Sequence, residues 1–218
     1  TGFDKTVWTI NLQSDGKILV GGSFNTYKGI TENNIIRLNT NGNKDTTFNT
    51  GTGFNNVVLI ITIQTDGKIL LGGIFTSYNG TTTGSNSIRL NSNGTKDATF
   101  NTGTGFNGVV NAIVPQSNGK ILVGGGFSFY IDSVEKRIIS LNNNGSKDAT
   151  FDSEAGFNDI IYTFKLQEDG KILVGGNFTN FKGTFGSRII RLNPDGSKDA
   201  TFTTIGIGFN STVFTLAQ

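Results

Sequence analysis

Short runs of apolar residues, some alternating with polar ones, recur along the chain, and none keeps the 3.6-residue period of a helix. The first run, Val7 to Gln13, is rich in β-branched residues, and Ser14-Asp15-Gly16 follows it. Asp-Gly favours a two-residue hairpin, because the centre of that turn needs positive φ. The next run, Lys17 to Val20, is nearly all apolar and ends at Gly21-Gly22, which indicates a strand buried on both faces. The pattern predicts an all-β protein.

The remainder of this first stretch predicts two further strands. A longer segment, 23–34, leads to a third strand over Ile35 to Asn39, and Asn41-Gly42 marks a second hairpin. A short fourth strand is expected around Thr46 to Phe48. Four antiparallel strands joined by hairpins form one small twisted sheet.

The same stretch occurs four times in the sequence, and this internal repeat is the strongest evidence for the fold. A Gly-Phe pair recurs with its Phe at 3, 54, 106, 157 and 209. The Asp15–Gly22 run recurs from Asp66, Asn118 and Asp169, and the Lys44–Phe48 run recurs from Lys96, Lys147 and Lys198. We interpret residues 1–218 as one repeat domain with units at about 1–51, 52–103, 104–154 and 155–206 and a partial fifth unit at 207–218. A small sheet cannot bury its faces alone, and radial stacking of such sheets gives a β-propeller of four-stranded blades. An open β-array is the alternative.

The end of the sequence repeats the start of a unit. Val213 to Ala217 match Val7 to Asn11, so we expect them to form the first strand of a fifth unit. This favours a fragment of a longer array within a larger parent protein or assembly. The alternative is a closed four-bladed ring in which the extra strand covers an edge.

Composition narrows the function classes. The net charge is +2 without a basic block, so no nucleic-acid partner is expected, and no apolar run approaches the length of a membrane helix. The chain has no Cys and no His, which removes disulfides, thiolate nucleophiles and most metal sites and catalytic triads. Asn39 to Asp45 weakly resembles a calcium loop, but its mostly neutral Asn side chains favour a plain hairpin. We expect no metal, no cofactor and no catalytic residue.

The repeat resembles the delta-60 repeat family, also described as a β-propeller domain of unknown function. The resemblance rests on Gln13-x-Asp15-Gly16-Lys17-Ile18-Leu19-Val20-Gly21-Gly22-x-Phe24, on Arg37-Leu38-Asn39 and on Asp45-x-x-Phe48. The third unit departs from the pattern at Pro115, Asn118 and Ser140. The resemblance implies an extracellular, cell-surface or virion setting, and it implies no catalytic activity.

Residues that recur in the repeats are expected to build the fold. The predicted core positions are Phe24, Phe75, Phe127 and Phe178. The aromatic position at Tyr27, Tyr78, Tyr130 and Phe181 favours the core too, although a Tyr hydroxyl can reach the surface. The repeated arginines, expected to pair with the repeated aspartates, are Arg37, Arg89 and Arg191. Those aspartates are Asp45, Asp97, Asp148 and Asp199.

Residues that differ between repeats are where a ligand is expected. The segment after the Gly-Gly pair varies in every unit and is rich in Thr, Ser, Asn and Gly, which suits sugar recognition and also suits any solvated loop. The candidate ligand-binding residues are Tyr78, Tyr130, Phe185, Asp132 and Glu135. A loose acidic run continues through Asp152, Glu154 and Asp159. Two carboxylates could serve glycoside hydrolysis, but the sequence places no two of them at the distance that this needs, so we expect these residues on the solvated surface.

The sequence therefore predicts a non-catalytic recognition module that binds a glycan or a surface protein through variable loops on one face. The first alternative is a structural spacer in a larger surface or phage fibre protein. The second alternative, a glycan-active enzyme, is disfavoured because no acid pair is evident.

Overall fold

The computed structural model describes residues 2–84, 86–131, 133–152, 156–202 and 208–217. The chain divides into two compact units, Thr1–Val110 and Asn111–Gln218, which are called unit 1 and unit 2 below. All regular structure in the described ranges is β, and no helix among these residues could span a membrane.

Each repeat contributes five strands in the same order, and the third and fourth of them are two-residue hairpin strands. The first repeat contains β1 (Val7–Leu12), β2 (Ile18–Gly22), β3 (Thr26–Tyr27), β4 (Ile30–Thr31) and β5 (Ile35–Leu38). The second repeat contains β6 (Val58–Ile63), β7 (Ile69–Gly73), β8 (Ser77–Tyr78), β9 (Thr81–Thr82) and β10 (Ser87–Leu90). The third repeat contains β11 (Val110–Pro115), β12 (Ile121–Gly125), β13 (Phe129–Tyr130), β14 (Ser133–Val134) and β15 (Ile138–Leu141). The fourth repeat contains β16 (Ile161–Leu166), β17 (Ile172–Gly176), β18 (Asn180–Phe181), β19 (Thr184–Phe185) and β20 (Ile189–Leu192).

The main sheet of each repeat is antiparallel with the second strand in the centre. In the first repeat the order is β1-β2-β5, and Val20 lies between Ile10 and Ile36. The turn from β1 to β2 has the predicted form, because Gly16 has a φ of 81° and the Asp15 carboxylate accepts the N–H of Lys17. The third repeat places Pro115 at the end of an edge strand, where a missing N–H is tolerated.

The fourth strand is shorter than the sequence pattern predicts and lies earlier. Antiparallel pairing beyond β5 consists of one bridge between Leu38 and Lys44, whereas residues 46–48 form a turn. The Asp45 carboxylate accepts hydrogen bonds from the N–H and the hydroxyl of Thr47, which bends the chain where the strand was expected. The other repeats have the equivalent bridge at Lys96, Lys147 and Lys198.

The Gly-Gly pair allows a bulge in the first strand. Val7 pairs with Gly22 and Thr9 with Gly21, so the register shifts by one residue. A Cβ on Gly22 would overlap the carbonyl oxygen of Thr6, which explains why glycine is needed there.

The hydrophobic core joins consecutive repeats within each unit. In unit 1, Ile61 of the second repeat belongs to one buried cluster with Leu19 and Ile35 of the first. A Cβ on Gly21 would lie 2.7 Å from Cγ1 of Val58, so this glycine makes room for the first strand of the next repeat. The four core positions predicted from the repeats, Phe24, Phe75, Phe127 and Phe178, are all fully buried.

Residues 208–217 contain no regular strand, unlike the prediction for a fifth unit. In every full repeat the first strand pairs with the second strand of the same repeat, and residues 208–217 contain no such partner. Val213 nevertheless lies over Gly175 as Val58 lies over Gly21, and its N–H donates to the carbonyl oxygen of Gly176 at 3.1 Å.

Candidate functional site

In the first, second and fourth repeats, a repeated arginine and a repeated aspartate form an ion pair that holds the sheet to the turn after it. Nε of Arg89 lies 2.7 Å from Oδ2 of Asp97, and Nζ of Lys68 lies 2.9 Å from the same oxygen. The other aspartate oxygen accepts the N–H and the hydroxyl of Thr99. The Arg89 guanidinium also lies 4.6 Å from the centre of the Phe100 ring. These groups satisfy one another and therefore have a structural role.

The ion pairs alter the acidity of the aspartates. Burial alone raises the pKa of Asp97, but hydrogen bonds from Lys68, Thr99 and Arg89 outweigh it and hold the pKa well below the usual range. The same balance lowers the pKa of Asp45 and, by hydrogen bonds from Lys120 and Thr150, that of Asp148. These aspartates remain charged at neutral pH.

The third repeat lacks the arginine. Ser140 occupies that position and is fully buried, while Asp148 keeps Lys120 as an ion-pair partner at 2.7 Å. The first and fourth repeats have the complete arrangement. Nε of Arg37 lies 2.8 Å from Oδ2 of Asp45, and Nε of Arg191 lies 2.7 Å from Oδ2 of Asp199.

Glu135, a predicted ligand-binding residue, is instead a buried structural carboxylate. Its side chain is fully buried and forms an ion pair with Lys147, as Glu32 does with Lys44 in the first repeat. A ligand on the surface cannot reach a carboxylate in this position, so this prediction was wrong.

The predictions for Tyr78 and Tyr130 were also wrong, because both rings are buried. The hydroxyl of Tyr78 donates to the carbonyl oxygen of Gly94, and that of Tyr130 donates to the carbonyl oxygen of Gly145. Burial raises the pKa of both hydroxyls. Each tyrosine ties its hairpin to the second turn of its repeat, which is the core role that the sequence favoured for this aromatic position.

The remaining predicted residues have different surroundings. Phe185 is exposed on β19, whereas Asp132 and Glu154 lie outside the described residues. Asp152 forms an ion pair with Lys182, and Asp159 accepts a hydrogen bond from Asn177. No group of three or more acidic residues in the described ranges could hold a metal ion.

The two-residue strands form one exposed hairpin per repeat, and the backbone fixes its position. In unit 1 the N–H of Phe54 donates to the carbonyl oxygen of Asn33, and the N–H of Asn55 donates to that of Ser77. In unit 2 the N–H of Phe157 donates to the backbone carbonyl oxygen of Lys136, and the N–H of Asn158 donates to that of Asn180. The Gly-Phe-Asn segment therefore joins the loop of one repeat to the hairpin of the next.

The outer residue pair of the hairpin differs between the two units. The pairs in unit 1 are Thr26 with Thr31 and Ser77 with Thr82. The pairs in unit 2 are Phe129 with Val134 and Asn180 with Phe185. The side chains of Phe129, Val134 and Phe185 are 43%, 52% and 63% exposed, and we call these three residues the apolar hairpin set.

Sequence reasoning missed two members of the apolar hairpin set, Phe129 and Val134. Alignment of the repeats places Phe129 with Thr26 and Ser77, so an apolar residue at a polar hairpin position was the available signal.

Comparison with known proteins identifies the repeat. The family model described as a domain of unknown function (DUF5122) β-propeller matches residues 13–48, 64–100, 116–151 and 167–202, more than half of the chain. No curated protein sequence matches the chain.

Several solved structures share the fold at low sequence identity. One is the extracellular domain of a protein named as a hybrid two component system from B. thetaiotaomicron, with a TM-score of 0.55 and 15% identity over 94% of this chain and 23% of that one. The WD40 β-propeller domain of Doa1 has a TM-score of 0.54 and 19% identity over 86% of this chain and 50% of that one. PorZ, a surface component of the type-IX secretion system of Porphyromonas gingivalis, has a TM-score of 0.52 and 14% identity over 93% of this chain and 28% of that one. The chain spans half or less of the length of these structures, and the likeness shows the β-propeller fold.

Proposed function

The chain belongs to the DUF5122 β-propeller family, a domain of unknown function, and from that premise we propose that it is a non-catalytic recognition module outside the cell. It binds a glycan or a protein partner through the hairpins of unit 2. The observation that carries this proposal is the exposure of the apolar hairpin set at positions that are polar in unit 1.

The contrast between kept and varied positions supports a binding role for this set. Buried positions such as Phe24 and Asp45 keep their residue type in all four repeats, because each blade needs the same packing and the same ion pair between a lysine and the aspartate. The outer hairpin pair has no such constraint. Exposed apolar side chains at these positions lower the solubility of the protein and add nothing to its hydrophobic core. Exposed apolar groups of this kind are typical of a surface that binds a partner.

The chemistry around Phe185 suits a sugar or a polar protein surface. Phe185 lies opposite Asn180 on the hairpin and next to Thr184 in the chain. The backbone N–H of Asn180 donates to Oδ1 of the Asn158 side chain, which fixes the base of this hairpin. The Thr184 hydroxyl donates to the carbonyl oxygen of Phe181, and Oδ1 of Asn180 accepts the N–H of Gly183, so both polar side chains are held in place beside the ring. An exposed ring in such surroundings can stack on an apolar sugar face.

The extracellular setting is supported by resemblance. The delta-60 repeat, which this chain resembles, implies a cell-surface or virion protein. Among proteins of the same fold, one is an extracellular domain and another is a bacterial surface component. The absence of Cys in the chain is compatible with oxidising surroundings.

A structural spacer is the second candidate, and the links between repeats favour it. The Asn34 amide donates to the carbonyl oxygen of Phe54 in the next repeat, and Asn86 makes the same bond to Phe106. Such links, repeated with the ion pairs, give a stiff array that needs no ligand. A spacer, however, gives no reason for the apolar hairpin set.

The test is a binding screen of the purified chain against a glycan array and intact bacterial cells. We expect saturable binding that Phe185→Ser reduces at least about tenfold, since a buried ring contributes roughly 1.5–3 kcal/mol. Ile30→Ser is the matched control, because Ile30 is equally exposed on the hairpin of the first repeat. Binding that both variants reduce equally, or that neither reduces, contradicts the hairpin site. Silence in both screens favours the spacer.

A further inference from the structure

The third repeat has a serine where the other three repeats have an arginine, and this changes its contact with the fourth repeat. In the first repeat, Nη1 of Arg37 donates to the carbonyl oxygen of Ser92 in the second repeat at 2.6 Å. Ser140 takes the place of Arg37 in the third repeat, and Pro194 takes the place of Ser92 in the fourth. The Pro194 carbonyl oxygen therefore has no arginine of the preceding repeat as its donor.

The third repeat keeps the other groups that bind this arginine elsewhere. Nη1 of Arg89 lies 3.4 Å from Oε1 of Gln64, and Gln116 is the residue of the third repeat at that position. The aspartate that accepts the arginine Nε is kept as Asp148, and its Oδ2 lies 2.7 Å from Nζ of Lys120. The acceptors for a guanidinium group are thus present without the guanidinium group itself.

Lys120 replaces the arginine only in part. Its Nζ lies 2.9 Å from the hydroxyl oxygen of Thr150, which is the contact that the arginine Nη2 makes in the other repeats. The hydroxyl of Ser140, however, is buried and has no hydrogen-bond partner among the described residues. The charge is also lower, because the aspartate binds a lysine and an arginine in the other repeats and Asp148 binds a lysine alone. One added cation would give the third repeat the charge of the others.

A groove between the third and fourth repeats is lined by two of these acceptor residues. It has a volume of about 460 Å³, and its lining includes Gln116, Pro194, Gln167 and Glu168. Glu168 is the one charged residue among the described residues that line it. The other repeats have Ser or Thr at the Glu168 position. Carbonyl and amide oxygens beside a carboxylate suit a cation that carries several N–H donors.

We propose that this groove binds a guanidinium group, supplied by a free small molecule or by an arginine side chain of a partner protein. The N–H groups of the ligand donate to the Pro194 carbonyl oxygen and to Oε1 of Gln116, as the guanidinium groups of the other repeats donate to the equivalent atoms. Glu168 adds an electrostatic attraction. A guanidinium group fits better than an ammonium group, because its planar fork can reach two separate acceptors at once.

Titration of the purified chain with methylguanidinium chloride, followed by two-dimensional amide NMR, tests the proposal. Methylguanidinium has the atoms by which an arginine side chain extends beyond the γ position. We expect saturable shifts of the Gln116 side-chain amide and the Asn118 backbone amide, with a dissociation constant on the order of 1–10 mM for so small an ion. Tetramethylammonium chloride is the control, since it has the same charge and no N–H donor. Equal shifts with both cations overturn the proposal, and so does the absence of a saturable shift.

A variant at the arginine position gives the first check on where the ligand binds. Ser140→Arg should weaken methylguanidinium binding at least about tenfold, because the new side chain takes the acceptors for itself. Its melting temperature should not fall, since three repeats carry arginine at this position. Unchanged binding by a folded Ser140→Arg variant overturns the proposal.

A variant in the groove lining decides the matter even if Ser140→Arg does not fold. Glu168→Gln should weaken binding about threefold, since it removes the attraction of an exposed carboxylate. Asp169→Asn is the matched control, because it removes the same charge from the same turn and the third repeat naturally has Asn118 there. Equal loss of binding in the two variants would mean that overall charge attracts the cation, which contradicts the groove. Phe185→Ser should leave binding unchanged.

A short peptide distinguishes the two sources of the guanidinium group. The dissociation constant of acetyl-Gly-Arg-Gly-amide is compared with that of methylguanidinium and with that of the same peptide containing Lys. Tighter binding of the arginine peptide than of both others supports the site and identifies an arginine of a partner protein as its occupant. Binding of methylguanidinium without binding of the peptide supports the site and identifies a free small molecule. Equal binding of the arginine and lysine peptides contradicts recognition of a guanidinium group.

Discussion

Nε of Arg89 donates a hydrogen bond over 2.7 Å to Oδ2 of Asp97, which is buried and also binds Lys68. The two residues are eight positions apart, and their pairing joins the strand β10 to the turn that follows it. The same pair occurs in the first and fourth repeats. It holds the sheet in shape and has no free group left for a ligand among the atoms that the structure describes.

Removal of the charge on Asp97 should destabilise the protein. Asp97→Asn leaves the buried Arg89 and the half-buried Lys68 against a neutral amide, so the free energy of unfolding should fall by about 3 kcal/mol. Urea unfolding measures this change. Asp66→Asn is the matched control, because the third repeat naturally carries Asn118 at that turn position and the change should be nearly neutral. Equal stability of the two variants would contradict the structural role of the pair.

Acid should weaken the protein through the same aspartates. The pKa of Asp45, Asp97, Asp148 and Asp199 is lowered in the folded state. A carboxylate with a lowered folded pKa stabilises the fold above its unfolded value of about 4, and this contribution is lost as the pH falls towards the folded value. The free energy of unfolding should therefore decrease steadily below about pH 4. Asp97→Asn should make that decrease shallower, and an unchanged slope would argue against the assignment.

The fold was largely predictable from sequence because each packing requirement occurs four times. Phe24 and Gly22 recur at fixed spacing, so the core and the bulge could be located from the repeats alone. The fourth strand was less predictable. The Thr46–Phe48 segment has strand-forming residues, but the Thr47 N–H donates a hydrogen bond to the Asp45 carboxylate, and this turns the chain there.

The candidate site was predicted only in part, because exposure depends on which way a side chain points. Tyr78 and Phe185 both lie in a variable hairpin, yet Tyr78 points inward and Phe185 outward. The repeats did contain the distinction, since an aromatic ring at the Tyr78 position occurs in every repeat and one at the Phe185 position occurs once. Glu135 could not be placed in this way, because only the first repeat has an equivalent Glu.

Close approach at the Gly-Gly bulge gives a further prediction. A Cβ on Gly176 would overlap the carbonyl oxygen of Ile160, so Gly176→Ala should lower the free energy of unfolding by about 2–3 kcal/mol. Gly186→Ala is the control in the same unit, because its Cβ would meet only ordinary contacts, the nearest at 3.7 Å from Phe178. Thermal unfolding of the two variants gives the comparison. A harmless Gly176→Ala would mean that the bulge relaxes without cost.

The turn of the third hairpin contains a strained residue. Ile131 has a φ of 54°, a left-handed conformation that a β-branched side chain rarely adopts. The second repeat has Asn79 at the same place with a φ of 48°. Ile131→Asn should raise the free energy of unfolding by about 1 kcal/mol. Lys28→Asn, at a position without a β-branched side chain, should raise it less, and a destabilised Ile131→Asn variant would contradict the strain.

Exchange of the hairpin residues between the units tests the central claim most directly. Phe129→Thr, Val134→Thr and Phe185→Thr together give the hairpins of unit 2 polar outer pairs like those of unit 1, and the strand pairing of these exposed positions should survive. Binding of this triple variant and of the original chain is measured on the same glycan array and the same bacterial cells. The account predicts that the original chain binds and that the triple variant loses binding while its circular dichroism and melting temperature stay unchanged. Undiminished binding by a folded triple variant would contradict it.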